Sequence, residues 1–151
     1  MTGDIGSMLL PILPEIGLLV LAGLILVLDA ILRDRPNRYV LGWTTAVGLA
    51  VIAAGSLLVM PSAETAESVW GGMLRIDQAA FVFRMVFLIG ASLTALFAME
   101  SKTTGERGEF YLLMVVSTLG MSLMAASADL IMLYLAIETT SIPLYILAGF
   151  I

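Results

Sequence analysis

Apolar residues run along this chain in long blocks and do not alternate or recur on one face. A helix that crosses a bilayer needs about 20 mostly apolar residues, because every backbone N–H and C=O must be bonded within the segment where no water reaches. About five such blocks are present: Pro11 to Leu32, Tyr39 to Met60, Ala79 to Met99, Phe110 to Ala128 and Leu130 to Ile151. The first contains the uninterrupted run Ile16 to Leu28, and the second carries no charge. This pattern predicts an all-α polytopic membrane protein of about five transmembrane helices forming a single membrane domain.

The connections set an expected orientation. Lys and Arg concentrate in the first loop (Arg33, Arg35, Arg38) and the third (Lys102, Arg107), whereas the second holds Arg75 alone. Counted by the positive-inside rule, this places the N-terminus on the outer side. Asp4 and Glu15 flank the first block where a secretory signal would carry Lys or Arg, so that block reads as a retained helix. The stretch Pro61 to Gln78 holds turn formers and acids (Pro61, Ser62, Glu64, Glu67) and reads as an outer loop, with Trp70 as an anchor at the headgroup level. Ser127 to Asp129 is so short that helices four and five should form a tight antiparallel hairpin. Small residues along helices two and four, Gly48, Gly55 and Gly120 among them, read as ordinary close packing.

Composition narrows the chemistry. Of 151 residues 60% are hydrophobic and 13% charged, with a mean hydropathy of +1.06, against roughly 25% charged in a soluble domain. Seven basic and 12 acidic residues give a formal charge of -5, which excludes the basic surface a nucleic acid requires. With no Cys and no His, thiolate or histidine ligation of iron–sulfur clusters, haem and zinc is excluded, as is histidine as a proton carrier. Proton chemistry falls to carboxylates, Lys or Tyr.

Few ionisable groups stand inside the blocks, and each one there costs about 2.5 to 3.5 kcal/mol on insertion scales. Glu15 and Asp29 read as charges at the two ends of helix one that reach the interface or backbone donors. Asp77 and Asp129 each precede an apolar run and read as helix N-caps; Asp129 could also hand protons to the fifth helix. Arg84 follows Asp77 by two helical turns on one face. Two readings stand for it: a side chain that snorkels to the interface, or a fixed counter-charge within the bundle.

Glu138 is different. It lies nine residues into its block, roughly 13 Å from the outer end and near the bilayer middle. Desolvation there penalises the carboxylate and a nearby cation restores it, so moving one positive charge switches its protonation. The bland alternative is a protonated Glu hydrogen-bonded across a helix interface. Thr139, Thr140 and Ser141 follow it, and Pro143 cannot donate to the carbonyl of Thr139, so the helix should loosen there. Tyr134, one turn before Glu138, and Tyr145, seven residues after it, are within reach of a wetted carboxylate.

The stretch LYLAIETTSIPLYILAGF, Leu133 to Phe150, resembles the fifth-helix motif of subunit N of proton-translocating NADH-quinone oxidoreductase, respiratory complex I. Upstream, WGGMLRIDQAAFVFRMVFL, GEFYLLMVVSTLGMSLMAASADLI and LLPILPEIGLLVLAG are similar to that family's third, fourth and first helices. The resemblance spans essentially the whole chain. It is specific at Glu138, Ser141, Pro143, Leu144 and Tyr145 and compositional in helices one and two.

The resemblance implies an antiporter-like subunit of the inner cell membrane, partnered by other membrane-arm subunits, lipid and protons. In it Glu138 would pair with a lysine on the seventh helix, and opening that pair would release the lysine's proton. NADH, FMN, iron–sulfur clusters and quinone would be handled by other subunits, with no cofactor in this chain. Such subunits have about fourteen helices in two inverted repeats. The expectation is therefore an N-terminal part of a longer subunit, which should not pump alone. Two alternatives remain: a subunit of a related cation/proton antiporter or membrane-bound hydrogenase, and a non-transporting membrane scaffold in which Glu138 fixes helix register.

Overall fold

The computed structural model describes residues 5–34, 38–62 and 67–150. Asp4, Arg35, Glu64 and Ile151 lie outside the described residues. Among the described residues five helical spans are long and apolar enough to cross a membrane. The first, Ile5–Ile31, is composite: α1 (Ile5–Leu9), a 3-10 turn (Leu10–Ile12) and α2 (Leu13–Ile31). Helices α3 (Tyr39–Leu58), α4 (Gln78–Ala98), α5 (Gly108–Ala126) and α6 (Leu130–Ala148) follow. The chain is an all-α, multi-pass membrane protein.

The first span thus begins at Ile5, six residues before the Pro11 expected from the pattern. Pro11 and Pro14 each lack a backbone donor, which explains why the helix tightens to 3-10 geometry at Leu10–Ile12 and resumes with Pro14 in its first turn. The other helices start and stop within three residues of the apolar blocks, α3 and α6 starting at the expected Tyr39 and Leu130.

Side chains are arranged as a bilayer demands. Leu19, Val20, Val51, Phe97 and Ile131 face outward, where lipid is as apolar as they are. The interior holds Leu18, Ile25, Leu41, Leu49, Leu88 and Val115 together with the buried polar groups Glu15, Thr45, Arg84, Ser117, Thr118, Ser122 and Thr140. A polar group has no solvent on the lipid face and must find a partner inside. Ser92 Oγ on α4, for example, donates to the carbonyl of Ala46 on α3 at 3.0 Å.

Two carboxylates of α2 fix its alignment with α5. Glu15 accepts a 2.6 Å hydrogen bond from Ser122 Oγ, and Asp29 accepts from the backbone N–H of Gly108 at 3.2 Å while pairing with Arg38. Fourteen residues separate Glu15 from Asp29, and fourteen separate Gly108 from Ser122. The helices are therefore antiparallel and in register at two points roughly 21 Å apart.

The segment expected as an outer loop is more ordered than that. Strand β1 (Glu67–Val69) pairs antiparallel with β2 (Leu74–Ile76) around a 3-10 turn at Trp70–Gly72. Trp70, Gly71 and Gly72 all have positive φ, a conformation two glycines accept readily. Val69, Leu74 and Ile76 bury against Ile12, Ala80 and Ala126, so the hairpin caps one end of the bundle. It is also tied to the turn between α5 and α6: Ala128 N–H donates to the Met73 carbonyl at 2.9 Å, and Leu74 bridges Ser127. Trp70 stays exposed at the hairpin tip.

Helices α5 and α6 form the expected antiparallel hairpin. Ser117 and Thr140, ten and eleven residues from the turn, face each other, and Ser117 Oγ donates to the Thr140 carbonyl at 3.3 Å. Gly120 permits the contact, because a Cβ there would lie 2.6 Å from Thr140 N and collide with Thr140 Oγ1. Its role exceeds ordinary close packing: backbone opposes backbone and neither can give way. Gly120→Val should therefore destabilise the protein by about 1 to 3 kcal/mol or more. Gly120→Ala should do so less. Thermal unfolding midpoints of the detergent-extracted protein measure the difference.

Candidate functional site

Glu138 is the ninth residue of α6, a helix of which only 17% of the most apolar stretch is buried. The side chain is half-buried. Its carboxylate has no hydrogen-bond or ion-pair partner among the described residues. Neither Tyr134 nor Tyr145 bonds to it; they are 62% and 75% exposed and point away from the bundle.

The polar residues after Glu138 turn inward along their own helix. Thr139 Oγ1 donates to the Leu135 carbonyl at 2.7 Å, Thr140 Oγ1 to Ala136 at 2.9 Å and Ser141 Oγ to Ile137 at 2.6 Å. Such back-bonding satisfies a hydroxyl in an apolar medium and bends a helix slightly. Pro143 is buried, and the helix runs through it without interruption, so the expected loosening does not break α6. The carbonyl next to the one that Pro143 leaves without its helix donor, that of Thr140, receives the Ser117 hydroxyl from α5.

Arg84 resolves in favour of the buried counter-charge. Its side chain is 1% exposed, and its Nη2 lies 2.7 Å from Glu15 Oε1. Arg84 Nε also donates to Ser122 Oγ at 3.2 Å, and Ser122 in turn donates to Glu15. Three helices, α2, α4 and α5, meet in this triangle. Asp77 takes no part in it: its carboxylate accepts from Ala80 N–H at 2.9 Å as an N-cap and stands 3.6 Å from Arg75.

Glu15 is the residue that the sequence placed wrongly. With the helix starting at Pro11 it stood four residues in, near the interface. With the span starting at Ile5 it stands ten residues in, roughly 15 Å along, and it is buried. A usable signal was present: Arg84 within an apolar block requires a carboxylate in another block, and Glu15 is one of very few. Ser122 and Ser117 carried no such signal, since a serine in a membrane helix is commonplace. Asp29 behaves as expected, on a backbone donor at its end of the helix. Asp129 caps α6 through Ile131 N–H at 3.3 Å and is separated from Glu138 by nine residues of helix.

Two kinds of carboxylate therefore occupy the apolar region. Glu15 is paired, bonded and held by three helices. Glu138 is without a partner among the described residues, on the helix least covered by the bundle. Among the described residues no cluster of carboxylates suits a metal ion.

No protein-family model matches the chain. Curated relatives do. The NADH-quinone oxidoreductase subunit N of Brevibacillus brevis is 33% identical over 141 residues, covering 91% of this chain and 28% of the relative. That of an Anaeromyxobacter species is 37% identical over 139 residues, covering 91% and 26%. The NADH-quinone oxidoreductase subunit N 1 of Roseiflexus castenholzii is 34% identical over 172 residues, covering 92% and 32%. The chain spans between a quarter and a third of the length of these relatives. With such similarity across nine-tenths of its length, and five apolar spans of the expected kind, the chain belongs to the subunit N family of NADH-quinone oxidoreductases.

Proposed function

We propose that this chain is part of a membrane-arm subunit of a proton-translocating NADH-quinone oxidoreductase and that Glu138 is its proton-handling carboxylate. The observation that carries the reading is the unpaired, half-buried Glu138 midway along an apolar helix. A carboxylate at that depth is costly unless a cation or proton accompanies it. Among the described residues neither Arg84 nor any lysine reaches it, so the balancing charge belongs to a neighbouring helix. A cation approaching the exposed side of α6 favours the carboxylate, and withdrawing it favours the neutral acid. That exchange is the elementary step of a coupled proton pathway.

The surroundings suit this role. The hydroxyls of Thr139 and Ser141 lie beside Glu138 on a helix supported at Thr140, so the acid sits on a rigid element, as precise proton transfer requires. Residues 1–151 act as one membrane domain of a longer subunit, embedded in the inner cell membrane beside other subunits of the complex. Arg33, Arg38, Lys102 and Arg107 lie at the end of the bundle opposite the hairpin. This distribution supports an N-terminus and hairpin on the outer side. Nicotinamide, flavin, iron–sulfur and quinone chemistry belongs to other subunits.

The test is Glu138→Gln in the assembled complex in native membrane vesicles, which keeps size and hydrogen bonding but removes the charge. Proton uptake per NADH oxidised should fall severalfold while the complex still assembles. Wild-type pumping together with wild-type quinone reduction would overturn the assignment. Asp129→Asn should leave pumping near normal and cost under about 1 kcal/mol of stability, because Asn also caps helices; the same vesicles and a melting curve measure both.

A further inference from the structure

The triangle of Glu15, Arg84 and Ser122 has no part in the proton-handling step, yet it is joined to the helix that carries Glu138 by an unbroken series of contacts. Arg84 from α4 and Glu15 from α2 converge on Ser122 of α5. Two residues before Ser122, Gly120 lies against the backbone of Thr139 and Thr140 on α6. Less than one turn further, Ser117 donates to the Thr140 carbonyl. Thr139 and Thr140 immediately follow Glu138.

These contacts differ from apolar packing in what they tolerate. Leucine surfaces slide by fractions of a turn at small cost, whereas a guanidinium that is 1% exposed and paired with a carboxylate loses its partner on any such slide. The opposite end of α5 is held independently, by Asp29 on Gly108 N–H. With α5 pinned at both ends, and Gly120 leaving no space between α5 and α6, the depth and rotation of α6 follow from the ion pair.

We infer that Glu15, Arg84 and Ser122 are positioning residues that set where Glu138 stands in the membrane. The inference deepens the proposed role of Glu138 and rests on it for the pumping readout alone, because position has a readout of its own. The chain contains no cysteine. Maleimide reaction at Glu138→Cys in the assembled complex is therefore read as a mass shift of the proteolytic peptide that contains position 138.

The experiment compares Arg84→Gln, Ser122→Ala and the double variant Glu15→Gln with Arg84→Gln. Each is combined with Glu138→Cys for labelling and left with Glu138 intact for pumping. Arg84→Gln should change the labelling rate by about threefold or more and lower proton uptake per NADH to a similar degree at equal complex content, since small misplacements of a reacting group are costly. Ser122→Ala should act in the same direction more weakly. The double variant, neutral and able to hydrogen-bond, should return both readouts towards wild type. Wild-type labelling and pumping in assembled Arg84→Gln would overturn the inference, as would a double variant no better than the single one. Should Arg84→Gln not assemble, unchanged labelling in Ser122→Ala overturns it. A shifted labelling rate with normal pumping in Glu138→Gln leaves the positioning role standing and removes the role of Glu138.

Discussion

Two carboxylates on one helix hold this bundle in register. Within a bilayer a charged group has no solvent to fall back on, so it is stable only where a partner meets it at the same depth. Glu15 and Asp29, four turns apart on α2, meet Ser122 and Gly108, four turns apart on α5. Arg84 from α4 and Arg38 beside α3 supply the opposite charges. These contacts join α2, α3, α4 and α5 at matching depths. Buried ion pairs contribute little net stability once their desolvation is counted, and their best-attested use is to specify register. Here the pair brings α2, α4 and α5 together at one depth.

From α5 the alignment passes to α6 by close contact instead of charge. Gly120 brings the two backbones together, Ser117 supports a carbonyl just before Pro143, and the three hydroxyls of Thr139, Thr140 and Ser141 are satisfied within α6. A proline in a membrane helix need not break it when neighbouring side chains take up the backbone groups it disturbs. The β-hairpin completes the assembly by sealing one end, where Val69, Leu74 and Ile76 exclude solvent from the ends of the first span, α4 and α5.

Environment, not residue type, separates the two glutamates. Glu15 is enclosed by three helices, 2.7 Å from the Arg84 guanidinium and bonded to Ser122. Glu138 stands on the helix with the least cover and without a counter-charge among the described residues.

Much of this was legible before any coordinates. Five blocks of apolar residues, each as long as a bilayer is thick, dictate five helices, because backbone hydrogen bonding in lipid allows little else. The near absence of a connection between the fourth and fifth blocks dictates an antiparallel hairpin, and Glu138 near the middle of an otherwise uncharged block identifies the acid that needs a reason. The caps at Asp77 and Asp129 follow from local chemistry for the same reason: partner and residue lie within one turn. The sequence did not reveal that Glu15 belongs to Arg84, that Gly120 opposes Thr140, or that residues 67–76 fold into a hairpin under the bundle. Those pairings join positions as much as 69 residues apart, Glu15 and Arg84, and their depth depends on where each helix begins, to within a turn. Composition determines which segments enter the membrane; only the packing of one helix on another decides which charges meet there.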